Sequence, residues 1–172
     1  MIIDRLNTKE LFISLDDASS QLLNMIASLS EVALNTVPFH ESWTAAQLAS
    51  HVTKSNSSIS LALNMEAKPA ERDPVQRIQE LRGMFLDFTT KFQSPDFISP
   101  KQGTYEKDIL ISKLNRSVER LKEAASKVNL TDIINLPAFG EITKLELLHF
   151  VLYHTQRHTH QLKNIIRIIE IR

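Results

Sequence analysis

The sequence predicts an all-α protein, a four-helix bundle whose long crossover connection carries an extra, shorter helix. Three observations lead there. Only three Gly and six Pro interrupt 172 residues, too few breakers for a turn-rich β fold. Four long stretches carry apolar residues at alternating steps of three and four, the period of a helix with one buried face. No stretch alternates apolar and polar residues for long, which leaves little room for a sheet. Long amphipathic helices with one long connection describe a bundle with a crossover. The length suits a single domain spanning residues 1–172.

The first helix is expected from about Thr8 to Leu34. Leu11, Leu15, Ala18, Leu22, Met25 and Leu29 form its stripe, and Pro38 marks the break after it. The second opens on a capping box, Thr44 with Gln47, while Trp43 and Leu48 stand where a hydrophobic staple clamps the entry. It continues to about Glu66 with Leu48, Val52, Ile59, Ala62 and Leu63 inward. In the crossover, Asp73 caps and Pro74 suits a first helical position. Ile78, Leu81, Phe85, Phe88 and Phe92 follow at helical spacing, so a short helix should end before Ser94-Pro95. Ser94 to Gly103 reads as loop. The third helix is expected from about Asp108 to Val128 on Leu110, Leu114, Val118, Leu121, Ala125 and Val128. The last repeats the entry device, with Thr143 and Glu146 as box and Ile142 and Leu147 as staple. It runs to about Ile169.

Lys plus Arg and Asp plus Glu are both 20. Zero formal charge supplies no basic field for nucleic acid and no polybasic membrane patch. With no cysteine, a disulfide framework, a Cys metal site and a Cys nucleophile are excluded. The first residues, MIIDRLNTKELF, lack the apolar core of a signal peptide. No stretch approaches the ~20 apolar residues that span a bilayer. The expected location is the cytoplasm.

Chemistry concentrates in the histidines His40, His51, His149, His154, His158 and His160. At about 100° per residue, the apolar arc of the last helix holds Leu147, Phe150, Val151, Leu162, Ile165, Ile168 and Ile169. His154 and His158 fall in the middle of that arc, and Gln161 shares it. His149 and His160 fall on the other side and are expected to be exposed, as is His40 in its loop. Two inward histidines one turn apart, ~6 Å along the axis, suit one metal ion. The alternative is a pair of hydrogen-bonded core histidines. On the second helix His51 flanks the apolar stripe, with the small Ser55, Ser58 and Ala62 leaving space beside it. Spacing alone does not bring His51 to the pair. Three imidazoles with an open position suit zinc, and imidazole also suits nickel, iron or copper.

The stretch from Glu41 to His51, ESWTAAQLASH, resembles the second-helix signature of the DinB/YfiT-like superfamily. The stretch from Tyr153 to Leu162, YHTQRHTHQL, resembles its last-helix signature. The motifs match at Trp43, Thr44, His51, His154, Arg157, His158 and Gln161. The resemblance implies a four-helix bundle with a three-histidine metal site, and it makes His51, His154 and His158 the ligands of a divalent ion, zinc or nickel first. Gln161 stands where it can orient His158 or simply serve a helix contact. Arg157 is a surface or pairing residue, or a contact for a bound anion. Ser55 lines the space beside His51.

Characterised relatives include thiol S-transferases and a thiol-dependent isomerase, so the first functional reading is a metal-dependent enzyme activating a low-molecular-weight thiol for transfer to an electrophile. With no cysteine in the chain, that thiol comes from a cosubstrate. The alternatives are a metal-dependent hydrolase and a non-catalytic, metal-binding stress-response protein. No HExxH glutamate, GxSxG, P-loop or GxGxxG is present. The expected partner is a small molecule, with neither nucleic acid nor membrane. A homodimer is expected from a second apolar strip on the last helix, Leu145, Leu148, Leu152 and Ile166, interrupted by Thr155, Thr159 and Lys163. The competing expectation is that the crossover helix covers this strip within one chain.

Overall fold

The computed structural model describes residues 2–171; Met1, which opens the stretch read above for a signal peptide, and Arg172 lie outside them. Helix α1 is Ile2–Ser28, α2 Glu31–Leu34, α3 Ala45–Leu63, α4 Ile78–Leu86, α5 Lys107–Ser126 and α6 Lys144–Glu170. A 3-10 turn spans Asp96–Ile98, and strands β1 (Ile133–Leu136) and β2 (Gly140–Thr143) form a hairpin. Helices α1, α3, α5 and α6 make the bundle: α3 packs between α5 and α6, and so does α1 from the other side. Helix α4, the extra helix of the crossover, lies against α6. Among the described residues no helix is long and apolar enough to cross a membrane.

Both capping boxes form. Thr44 Oγ1 accepts from the Gln47 amide and Gln47 Oε1 from the Thr44 amide; Thr143 and Glu146 exchange the same pair of bonds. Each box fixes where its helix begins, and so fixes which residues face inward seven to fifteen positions later.

Elsewhere side chains that compete for backbone groups move the expected bounds. The first helix breaks at Leu29-Ser30, because the Ser30 hydroxyl accepts from Ala33 N and starts α2. In the crossover, Asp73 Oδ1 accepts from Val75 N and folds a turn, so α4 begins at Ile78. Asp87 ends it at Leu86 by accepting from the amide and hydroxyl of Thr89 and the hydroxyl of Thr90. Such local bonds offer the backbone an alternative to the helix. Phe88 and Phe92 therefore follow α4 in a turn.

The hairpin is a feature the sequence reading left out. Its strands have four residues each, and Ile133 and Ile134 are both buried, so no alternation marks them. Gly140, at φ 66°, supplies the left-handed residue of the tight turn.

The strip expected to form a dimer interface is inside the molecule. Leu145, Leu148 and Leu152 are 3%, 0% and 7% exposed and share a core cluster with Leu11, Leu15 and Ala18 of α1; Ile166 packs on the cluster containing Leu22 and Ile26. Helix α1 and, through Leu81, the crossover helix α4 both belong to the first of these clusters, so the strip is covered within one chain. The homodimer thereby loses its assigned surface. Leu148→Glu is expected to unfold the chain rather than split a dimer. An unpaired buried carboxylate costs about 3–5 kcal/mol, a large share of the ~5–15 kcal/mol that hold a domain. A denaturation midpoint equal to that of the wild type would show the face to be open.

Candidate metal centre

The helix starts decide the site. From Thr44, His51 falls on the inner face of α3; from Thr143, His154 and His158 fall on the inner face of α6, one turn apart. The three rings are 4%, 6% and 7% exposed. His51 Nε2 lies 3.1 Å and His158 Nε2 3.0 Å from His154 Nε2. The three histidines form one group of converging ligand atoms.

Outer bonds orient two of the rings. His51 Nδ1 donates to the Ile98 carbonyl at 3.1 Å and stands 3.3 Å from Ser94 Oγ. His158 Nδ1 donates to Gln161 Oε1 at 2.9 Å. A carbonyl oxygen only accepts, so Nδ1 carries the proton in both rings and Nε2 presents a lone pair. Burial keeps all three rings neutral. It lowers the His51 pKa despite the Ile98 bond, lowers His154 well below the ordinary value, and brings His158 to about 3 with the neighbouring His51 adding to it.

Two lone pairs thus face one nitrogen of His154, which can offer at most one proton between them. His154 Nδ1, on the far side of its ring, is buried without a partner among the described residues. A cation between the three nitrogens resolves the clash, since it accepts every lone pair at once. Ligand nitrogens about 2.0–2.1 Å from a tetrahedral zinc stand roughly 3.3–3.4 Å apart, close to the separations here. The residues fit a divalent ion with three neutral ligands.

Around the rings the walls are aromatic. Trp43, expected as a staple, is half-buried with its ring centroid 4.9 Å from that of His51. Phe150 lies 5.1 Å and Phe85 6.3 Å from His154. Ser55 is buried on the same face of α3 as His51 but bonds none of the three rings among the described residues. Arg157 points to the crossover: it donates to the carbonyls of Phe85, Asp87 and Thr90 and lies 4.7 Å over the Phe92 ring.

His40 and His160 are exposed, the latter stacked on Phe88 at 4.0 Å. His149 is not: it is half-buried, 3.4 Å from the Tyr153 hydroxyl, and burial lowers its pKa. The helical wheel missed that the packing around α6 reaches so far round. It also missed the Ile98 carbonyl and Ser94, since a backbone acceptor on an irregular segment leaves no mark in a sequence.

Comparison with known proteins agrees with this architecture. The family described as the DinB superfamily matches residues 14–162. The uncharacterized protein YuaE of Bacillus subtilis (strain 168) is 27% identical over 163 residues, 90% of this chain and 96% of that protein. A conserved protein of Enterococcus faecalis superposes with a TM-score of 0.67 at 20% identity, over 96% of this chain and 98% of that one. YfiT from Bacillus subtilis, described as a probable metal-dependent hydrolase with an unusual four-helix bundle topology, superposes with a TM-score of 0.59 at 16% identity, over 92% and 85%. At such identities the structural matches show the fold.

Proposed function

Because the chain belongs to the DinB superfamily, we propose that it is a metal-dependent enzyme, one domain over residues 1–172, acting on small molecules in the cytoplasm. His51, His154 and His158 hold one divalent ion, zinc or nickel, which activates a low-molecular-weight thiol for transfer to an electrophile. The observation that carries this reading is the convergence of three Nε2 atoms whose outer bonds leave lone pairs pointing at one another. When bound, such an ion supplies Lewis acidity that holds a thiol as the reactive thiolate at neutral pH. Three neutral ligands and no carboxylate in the cluster would leave the charge of such an ion uncompensated and would favour an anion as its further ligand. The chain has no cysteine and cannot provide that thiolate itself.

The chain's own residues orient and exclude. The Ile98 carbonyl and Gln161 fix the proton of two ligands on Nδ1. Trp43, Phe85 and Phe150 wall the rings and keep bulk water from the cluster.

Hydrolysis is the second reading, favoured by the words used of YfiT and opposed by the lack of a carboxylate base in the cluster. Cobalt-loaded protein separates the two. Addition of a small thiol such as cysteamine should produce a sulfur-to-cobalt charge-transfer band in the near ultraviolet, and thiol consumption with an alkylating electrophile should need the metal. Metal-dependent ester cleavage with no thiol band would favour hydrolysis. Metal binding without either activity would leave the non-catalytic, metal-binding stress-response role.

A further inference from the structure

We propose that Arg157 is a positioning residue, the clasp that holds the crossover turn Asp87–Phe92 against the histidine site and so sets access to it; the access half rests on the metal reading above.

With each ring at most 7% exposed, nothing the size of a substrate reaches the cluster unless a covering segment moves. Besides Trp43, two segments of the long crossover lie against the rings. The Asp96–Ile98 turn sits on His51. On the His154 side sits Phe85, with Phe92 stacked on it at 5.4 Å. Residues 87–93 are exposed one after another, so apolar burial does little to hold this turn, and segments with few buried contacts open at low cost.

Helix α6 holds α4 at both ends with opposite charges. At the N-terminus of α4, Glu146 accepts from Arg77 N at 2.8 Å. At the C-terminus, Arg157 donates to the carbonyls of Phe85, Asp87 and Thr90. Both charges complement the helix dipole, and both satisfy backbone groups that a helix end leaves open. The two ends differ in burial. Glu146 is 0% exposed and bound into a network, whereas a single half-buried guanidinium meets exposed backbone at the other end. The Phe88–His160 stack is a further contact fastening this turn to α6. Opening therefore begins at the Arg157 end, with Asp87 as the hinge.

Lys91 is exposed within the turn and gives trypsin a target there, which makes the test independent of metal. On metal-free protein, Arg157→Gln should raise the rate of cleavage after Lys91 about tenfold, the loss of charge-assisted hydrogen bonds shifting the population that opens locally, while cleavage after Lys122 in the bundle is unchanged. Arg157→Lys, which keeps the charge but lacks the fork, should lie between. On metal-loaded protein, the rate of extraction by a chelator should rise in parallel, with the metal affinity itself little changed. Cleavage after Lys91 that stays at the wild-type rate, or rises only in step with cleavage throughout the bundle in both variants, overturns the clasp. A wild type that holds no metal removes the metal reading and leaves the proteolysis to decide the clasp.

Discussion

His158→Ala is expected to come through dialysis with well under one divalent ion per chain, where the wild type retains about one. Removing one of three ligands takes away both a lone pair and the ring that Gln161 orients. The loss in affinity should exceed the roughly 10–100-fold that follows when an outer partner alone is removed, and Gln161→Leu supplies that comparison within the same protein. Elemental analysis of the two variants beside the wild type, with circular dichroism to confirm that helix content is kept, reads the result. Stoichiometric metal in His158→Ala would remove the three-histidine site as the place where it binds.

Glu146→Gln is expected to lower stability by about 1–3 kcal/mol, the cost of leaving hydrogen-bond partners of a buried group unmet while the half-buried Arg72 keeps access to water. The carboxylate accepts from Arg72 at 2.8 and 2.7 Å, from Arg77 N at 2.8 Å and from Thr143 N at 2.9 Å. It joins the start of α6 to the start of α4, and an amide there meets Arg72 with a donor where an acceptor is needed.

The same residue shapes the acid limb. Burial pushes the Glu146 pKa up, but the Arg72 bond and the Thr143 and Arg77 amides outweigh it and hold the carboxyl below its ordinary 4.5. Its stabilisation is therefore present above that value and is lost as pH falls below it. The buried histidines act earlier. Their folded pKa values lie below 6.5, so the unfolded chain takes up protons first and stability begins to fall below that pH. Denaturant midpoints near pH 7, about 5.5 and about 4 should fall in both intervals for the wild type, since histidines with folded values as low as about 3 go on losing stability down to that pH, and Glu146→Gln should differ in slope from the wild type below about pH 4.5, where the carboxylate titrates. Equal midpoints for variant and wild type near neutral pH would show the network to be dispensable.

Helix identity and the inward pair were legible because both are local. A capping box needs residues three apart, and the two boxes place the starts of α3 and α6; from there the 3.6-residue period puts His154 and His158 together on one face. His51 is another matter. Periodicity alone leaves it beside its own apolar stripe, and only the resemblance to a known family joined it to the pair. Which helices become neighbours depends on packing between segments a hundred residues apart, and no local pattern encodes that.

The same limit explains the features that were misjudged. One apolar strip on α6 looks surplus until its neighbours within the chain are seen to cover it. His149 looks solvated until its neighbours are in place. Asp87 looks like one more residue of an amphipathic helix until its carboxylate takes the bonds that end α4. By itself the sequence determined the long helices, the starts of α3 and α6 and the apolar stripe each turns inward, because short-range hydrogen bonding and periodic burial decide those. Tertiary structure alone decided how far each helix is surrounded, which backbone carbonyl orients His51 and what lies over the rings, because those follow from contacts that the chain makes only once the whole core has closed.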